Sequence, residues 1–223
     1  MKKSVVFVFA FFIYLTSSFC QSVVTANDFF NNVSDNYSNI QQLEADVEMT
    51  TSSSQKPMTG KISLKRPEMF RIDFVEPKEQ VILFNGDDLV IYLPGSSAVL
   101  KQSVESDGAA SASAAQGLSL FKRYYTISYE VGQEPVPLDD MSDEKVINLL
   151  LYRRTSSEAF STILISVNPQ DLLIRRVVAT NPQNEKFTLD ITNYNLNVNL
   201  NPQRFLYDPP SSANEYNNFL FSE

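Results

Sequence analysis

The sequence predicts a mainly β, α+β domain whose sheet curls around an apolar cleft with helices as a lid. Three observations predict it. Period-two alternation of apolar and polar residues recurs from about Leu43 to Leu200, after a single long stretch of helical spacing. Several strand segments are apolar on both faces, so each of their faces needs cover. An amphipathic segment, Leu118 to Tyr125, separates two groups of strands and places Leu118, Phe121, Tyr124 and Tyr125 on one helical face.

The 223 residues, 43 % of them hydrophobic, suffice for one sizeable core, and the expected organisation is an export signal over 1–20 and a single domain over 21–223. Lys2 and Lys3 form the basic start of the signal, and the apolar run from Val5 to Leu15 is too short to span a bilayer. Ser18 and Cys20 suit cleavage before Gln21; Cys20 and Ser22 suit cleavage before Val23. Cys20, the only cysteine, has two readings: removal with the signal, or acylation as a lipobox residue, against which the bulky Phe19 argues. The rest of the chain offers neither a disulfide nor a thiolate metal site. Without Lys2 and Lys3 the chain carries 16 basic against 26 acidic residues, net −10, which repels nucleic acid and anionic bilayers.

Thr25 is placed to cap a helix over Ala26–Asn39, with Asp28 in its first turn and Phe29, Phe30, Val33, Tyr37 and Ile40 near helical spacing. Strands follow around Ala45–Met49, Ile62–Leu64 and Phe70–Phe74, where Phe70, Ile72 and Phe74 share one face and Arg71 and Asp73 the other. Val81–Phe84, Leu89–Leu93 and Ile147–Tyr152 are apolar on both faces and demand two covers. The Ala/Ser-rich stretch 103–117 reads equally as a helical lead or a disordered loop. Strands return over Thr126–Val131, Val146–Arg154, Phe160–Val167, Leu172–Thr180, Lys186–Thr192 and Tyr194–Leu200, with Asn168-Pro169 and Asn181-Pro182 as turns. The apolar parity is odd through Ile191 and even from Tyr194, which predicts a β-bulge near Asn193.

The absence of histidine removes the usual general base near neutral pH and the commonest zinc ligand, so no catalytic residue is assigned. Asp139-Asp140 with Asp143-Glu144, and Asp87-Asp88, lack the spacing of a known metal loop and read as solvated turns. No phosphate loop or repeat is present, and no cofactor or metal is expected. What is abundant is aromatic surface, 16 Phe and 10 Tyr, more than a core of this size readily absorbs. On this reading Phe70, Ile72, Phe84 and Ile91 line the cleft, and Leu118 and Phe121 belong to its cover.

The run from Gly60 to Pro94 holds a Lys65-Arg66-Pro67 corner, then Phe70, Pro77, Asn85-Gly86, Leu89, Tyr92 and Pro94; the chain closes on Phe205, Tyr207 and Pro209-Pro210. This order resembles the periplasmic outer-membrane lipoprotein carrier (LolA) family across nearly the whole mature chain, with Phe205 and Tyr207 at the aromatic positions of the family's closing strand. Val90-Ile91 stands where many members carry a Trp-containing pair. The resemblance implies an incomplete antiparallel β-barrel, a half-barrel, enclosing a hydrophobic cleft under lid helices. It gives Phe70 a cleft-facing position and makes Arg66 a latch that bonds lid carbonyls and releases them when acyl chains enter. Alone, Arg66 reads as an arginine hydrating a β-corner.

The function implied is a soluble, monomeric periplasmic chaperone, not an enzyme, that carries lipoproteins by their acyl chains from the inner to the outer membrane. Its partners are an inner-membrane lipoprotein-releasing ABC transporter and an outer-membrane lipoprotein receptor. Two alternatives use the same fold: a lipid- or lipoprotein-binding sensor domain, and an outer-membrane acceptor acylated at Cys20.

Overall fold

The computed structural model describes residues 24–66, 69–103, 118 and 121–217. The signal segment with Cys20, Pro67 of the charged corner, and residues 104–117 of the Ala/Ser stretch lie outside them.

The chain opens with helix α1 (Ala26–Asn39), whose Thr25 Oγ accepts the Asp28 backbone N–H at 3.1 Å. A side-chain cap at this point satisfies one of the helix's orphan amide donors and fixes where the helix begins. The strands are β1 (Gln42–Thr51), β2 (Ser54–Lys65), β3 (Met69–Glu76), β4 (Val81–Phe84), β5 (Asp88–Leu93), β6 (Ala98–Ser103), β7 (Tyr125–Tyr129), β8 (Val136–Pro137), β9 (Lys145–Arg153), β10 (Thr162–Val167), β11 (Ile174–Thr180), β12 (Lys186–Leu196) and β13 (Asn214–Asn217).

Among the described residues these strands form one open sheet in the order β13-β6-β5-β4-β3-β2-β1-β12-β11-β10-β9-β7, with β8 paired to β9. Every pairing is antiparallel except β13 on β6. The path does not close on itself, so the fold is mainly β, as the sequence predicts, with an unclosed sheet, as the resemblance implies.

Residues directly opposite one another in a ladder share a face, so the registers trace the two surfaces of the sheet. On the inner face α1 packs Phe29, Phe30, Val33 and Tyr37 against Leu43 and Ala45 of β1, Leu149 and Leu151 of β9, and Ile163 and Ile165 of β10. The amphipathic spacing of α1 thus buries one stripe against a strand surface of period two. On the outer face a second core forms from Val81, Leu83, Val90, Tyr92 and Val99, capped by Leu200 and Phe205 from the C-terminal segment. This segment is a strap, held by bonds from Lys65 Nζ to the Leu200 carbonyl at 2.7 Å and from Arg71 Nη1 to the Arg204 carbonyl at 2.8 Å. Arg204 in turn donates to Ser63 Oγ at 2.8 Å and pairs with Asp73 at 3.0 Å.

The bulge near Asn193 is present: Glu44 faces Asn195 while Asp46 faces Thr192, so Asn193 and Tyr194 together oppose Ala45 alone. Asn193 takes a left-handed φ of 51° and donates through Nδ2 to Asp46 at 2.8 Å. The extra residue turns Tyr194 to the same face as Ile191, and both pack against the inner core.

Three expectations need correction, and three strands were not foreseen. Phe205 and Tyr207 do not form a closing strand; Pro202–Phe205 is a 3-10 turn that drives Phe205 into the outer core. Val198–Leu200 belongs to the strap, because β12 ends at Leu196. The outer face of β9 is covered only in part: Val146 is buried and Leu150 half-buried, but Tyr152 is 48 % exposed. Strands β6, β8 and β13 carry no clear alternation and escape the sequence reading; in β6 the polar Gln102 occupies a buried position.

Phe205 is 1 % exposed and anchors the strap. Phe205→Ala is expected to cost about 3–5 kcal/mol, the range for emptying a buried aromatic site, measured by urea unfolding.

Candidate functional site

The apolar inner face does not stop where α1 stops. From Leu64 and Ile62 of β2, beside the inner core, the ladders run Leu64–Phe70–Phe84–Leu89 and Ile62–Ile72–Ile82–Ile91–Leu100. These two cross-strand rows place Phe70, Ile72, Phe84 and Ile91 on one continuous surface. Phe84 is buried, and its ring centroid lies 6.3 Å from that of Phe70. Phe70, Ile72, Ile82, Leu89, Ile91 and Leu100 are only partly buried, in contrast with the fully enclosed residues under α1. Their strand neighbours Leu83, Val90 and Val99 point the other way into the outer core. Strands β4 to β6 therefore carry apolar side chains on both faces, and the strap covers one of them.

Leu118 and Phe121 stand elsewhere on this surface. Leu118 is buried in the inner core, and Phe121 packs against it with its ring 5.7 Å from Tyr125. The residues singled out from the sequence thus form two groups on one face: Phe70, Ile72, Phe84 and Ile91 on β3 to β5, and Leu118 with Phe121 beside β7.

Arg66 sits at the end of β2 and donates through Nε to the Ile40 carbonyl at 2.9 Å and through Nη2 to the Tyr37 carbonyl at 2.8 Å. Both acceptors lie at the C-terminal end of α1, where helix carbonyls lack partners and the helix dipole favours a cation. The planar guanidinium suits such a fork of two carbonyls.

The same helix end is held from its other side by a buried phenol pair. Tyr194 donates to the Ile174 carbonyl at 2.6 Å, Tyr37 Oη accepts the Ile174 N–H at 3.0 Å, and the two hydroxyls meet at 3.1 Å. Burial pushes both phenols above the ordinary tyrosine range, so both stay protonated donors. Asn36 Nδ2 adds a bond to the Asp171 carbonyl at 3.0 Å. Arg175 lies 5.5 Å from the Tyr194 ring and bridges Glu144 at 2.5 Å and Asp171 at 2.6 Å. The sequence reading missed Tyr194 and Arg175 as a unit because their partners are distant in the chain and their spacing carries no motif.

A groove of about 590 Å³ lies on the outer face, lined in part by Asp46, Glu48, Asp139, Arg176 and Asp190. Part of its charge is paired: Lys61 with Asp46, and Arg176 with Asp190 and Asp139. Asp139 and Glu144 thus serve in ion pairs, and among the described residues no group of three acidic, His or Cys side chains converges on a metal position. No helix among the described residues is long and apolar enough to cross a membrane.

Removing the Tyr37 hydroxyl leaves the Ile174 N–H without its acceptor. Tyr37→Phe is therefore expected to lose about 1–3 kcal/mol in chemical denaturation, the cost of a buried unsatisfied amide.

Comparison with known proteins agrees with this geometry. The family model described as outer membrane lipoprotein carrier protein LolA matches residues 38–208. An outer-membrane lipoprotein carrier protein of Haemophilus ducreyi is 37 % identical over 70 residues, which are 30 % of this chain and 33 % of that protein. Among solved structures, an uncharacterized conserved protein of Thermus thermophilus superposes with a TM-score of 0.58 at 13 % identity, covering 86 % of this chain and 98 % of that one. The Pseudomonas aeruginosa MucA/MucB complex gives a TM-score of 0.51 at 11 % identity, covering 85 % of this chain and 62 % of that one. At these identities the two structures speak to the fold alone. With its family match extending from the end of α1 to the strap, the chain belongs to the LolA outer-membrane lipoprotein carrier family.

Proposed function

We propose that the chain is a periplasmic carrier that takes up the acyl chains of lipoproteins on the inner face of β2 to β6 and shuttles them from the inner to the outer membrane. The observation that carries this reading is the pair of partly exposed apolar rows ending in Leu89 and Leu100. Each acyl methylene withdrawn from water is worth about 0.8 kcal/mol, so a triacylated lipoprotein is disfavoured in free solution by roughly 30 kcal/mol. An extended apolar face of weak complementarity offsets that cost while still allowing release.

On this reading residues 1–20 are removed on export, 21–223 act as one carrier domain, and no chemistry is catalysed. Loading is from an inner-membrane ABC transporter and delivery is to an outer-membrane receptor. Arg66, Phe70, Ile72, Phe84, Ile91, Leu118 and Phe121 serve the cleft and its cover. Arg66 gates the site by holding the end of α1 beside Leu64, so loosening its two carbonyl bonds widens the entrance to the apolar rows.

Protein purified natively is expected to carry lipid or lipoprotein by mass spectrometry and to lose a bound hydrophobic dye when fatty acid is added. The double variant Ile72→Asp/Ile91→Asp, which puts charge on the acyl surface, is expected to weaken dye binding at least about tenfold. A native sample free of lipid, with no dye competition, contradicts the carrier reading. Arg66→Leu is expected to change release of bound acyl chains more than their uptake; equal loss of both removes the gating role.

A further inference from the structure

The two ends of strands β7 and β9 carry opposite charge, although the chain as a whole is acidic with 18 basic and 26 acidic residues. Residues 130–145, at the start of β9, hold six acidic side chains and one basic, and with Arg175 and Arg176 paired to Glu144 and Asp139 this end is still net negative. At the far end, residues 121–126, 152–161 and 180–187 hold five basic side chains, Lys122, Arg123, Arg153, Arg154 and Lys186, against Glu158 and Glu185. The nine residues of β9 separate these ends by about 30 Å.

The basic residues are brought together by the ladder. Arg153 faces Tyr125 across β7 and β9, and the Arg154 N–H bonds the Tyr124 carbonyl at 2.8 Å. Arg123 lies 5.7 Å from the Tyr124 ring. Among the described residues none of the five takes part in an ion pair. The Glu158 carboxylate instead accepts the Thr155 and Ser157 hydroxyls, and Glu185 accepts the Asn181 amide. Next to Arg123 and Arg153 in the chain, aromatic rings are part-exposed: Tyr124 is 38 % exposed and Tyr152 48 %. Phe187, 39 % exposed, carries the inner apolar face out to this same end.

We propose that this end is a docking surface for an anionic phospholipid bilayer. Unpaired arginines attract anionic headgroups, and tyrosines with a polar tip and an apolar body favour the headgroup layer. The acidic end repels the same surface, so the charge separation along β9 both orients the molecule and keeps the contact short-lived. Docking there brings Phe187 and the inner face against the membrane. The inference goes beyond the carrier reading and does not require it, because it concerns the cargo-free protein.

The test is flotation of cargo-free protein with vesicles of phosphatidylcholine containing 30 % phosphatidylglycerol, at about 20 mM and 300 mM NaCl; the Debye length falls from roughly 20 Å to under 8 Å across that range. Binding is expected at low salt only, and not to pure phosphatidylcholine. Arg123→Glu/Arg154→Glu is expected to reduce binding at least about tenfold, while Arg123→Lys/Arg154→Lys keeps it, since charge near the surface is what counts. Both variants should retain the wild-type circular dichroism and hydrophobic-dye binding. No flotation at low salt, equal binding to neutral vesicles, or binding unaffected by charge reversal each overturns the proposal, the first leaving the patch to an acidic protein partner.

Discussion

The structure depends on how strands β4 to β6 dispose of two apolar faces. A sheet of period two separates odd from even side chains, and here both sets are greasy: Leu83, Val90 and Val99 on one side, Phe84, Ile91 and Leu100 on the other. The chain covers the first with its own strap. Phe205 and Leu200 complete the outer core, and Arg204 holds the strap down through Ser63 and Asp73. The second is the direct continuation of the surface on which α1 packs, and its residues remain half-buried. One face is thus spent on stability, and the other is available to a guest of matching polarity.

α1 divides the inner face into a closed part and an open part, and polar contacts rather than packing set its position along the sheet. Its C-terminal end receives Arg66 from β2, and it delivers Tyr37 to Ile174 and Tyr194 and Asn36 to the Asp171 carbonyl. These bonds approach from opposite sides of the helix end. Apolar packing alone is tolerant of sliding, whereas hydrogen bonds of fixed geometry are not. The bulge at Asn193 contributes to the same end, because without the extra residue Tyr194 would face outward and the phenol pair could not form.

Much of this was legible from the residues. The capping threonine, the helix bounds and the parity change at Asn193 are local signals, and each has a mechanism that operates within a few residues. The shared face of Phe70, Ile72, Phe84 and Ile91 on β3 to β5 was legible for a similar reason: alternation places them, and antiparallel pairing brings them together. What escaped depends on long-range partners. Phe205 and Tyr207 have the alternation of a strand, yet Pro202 and the Arg204 network turn them into a strap. Gln102 breaks the pattern of β6, and β13 joins that edge in parallel with four exposed residues, which no hydrophobic signal announces. Arg66 was singled out through resemblance, and its actual acceptors, the last carbonyls of α1, follow from packing that the sequence does not display.

The central claim is that acyl chains lie on the inner face of β3 to β6 and not elsewhere on the sheet. The most direct measurement is isotope-filtered nuclear Overhauser spectroscopy of the protein with 13C-labelled palmitate. Alternate residues along the same strands point to opposite faces, so they act as internal controls. The account predicts contacts from the acyl methylenes to Ile72, Ile82, Ile91 and Leu100, and none to Leu83, Val90 or Val99. Contacts to the second set, or to the outer groove beside Arg176, would contradict it.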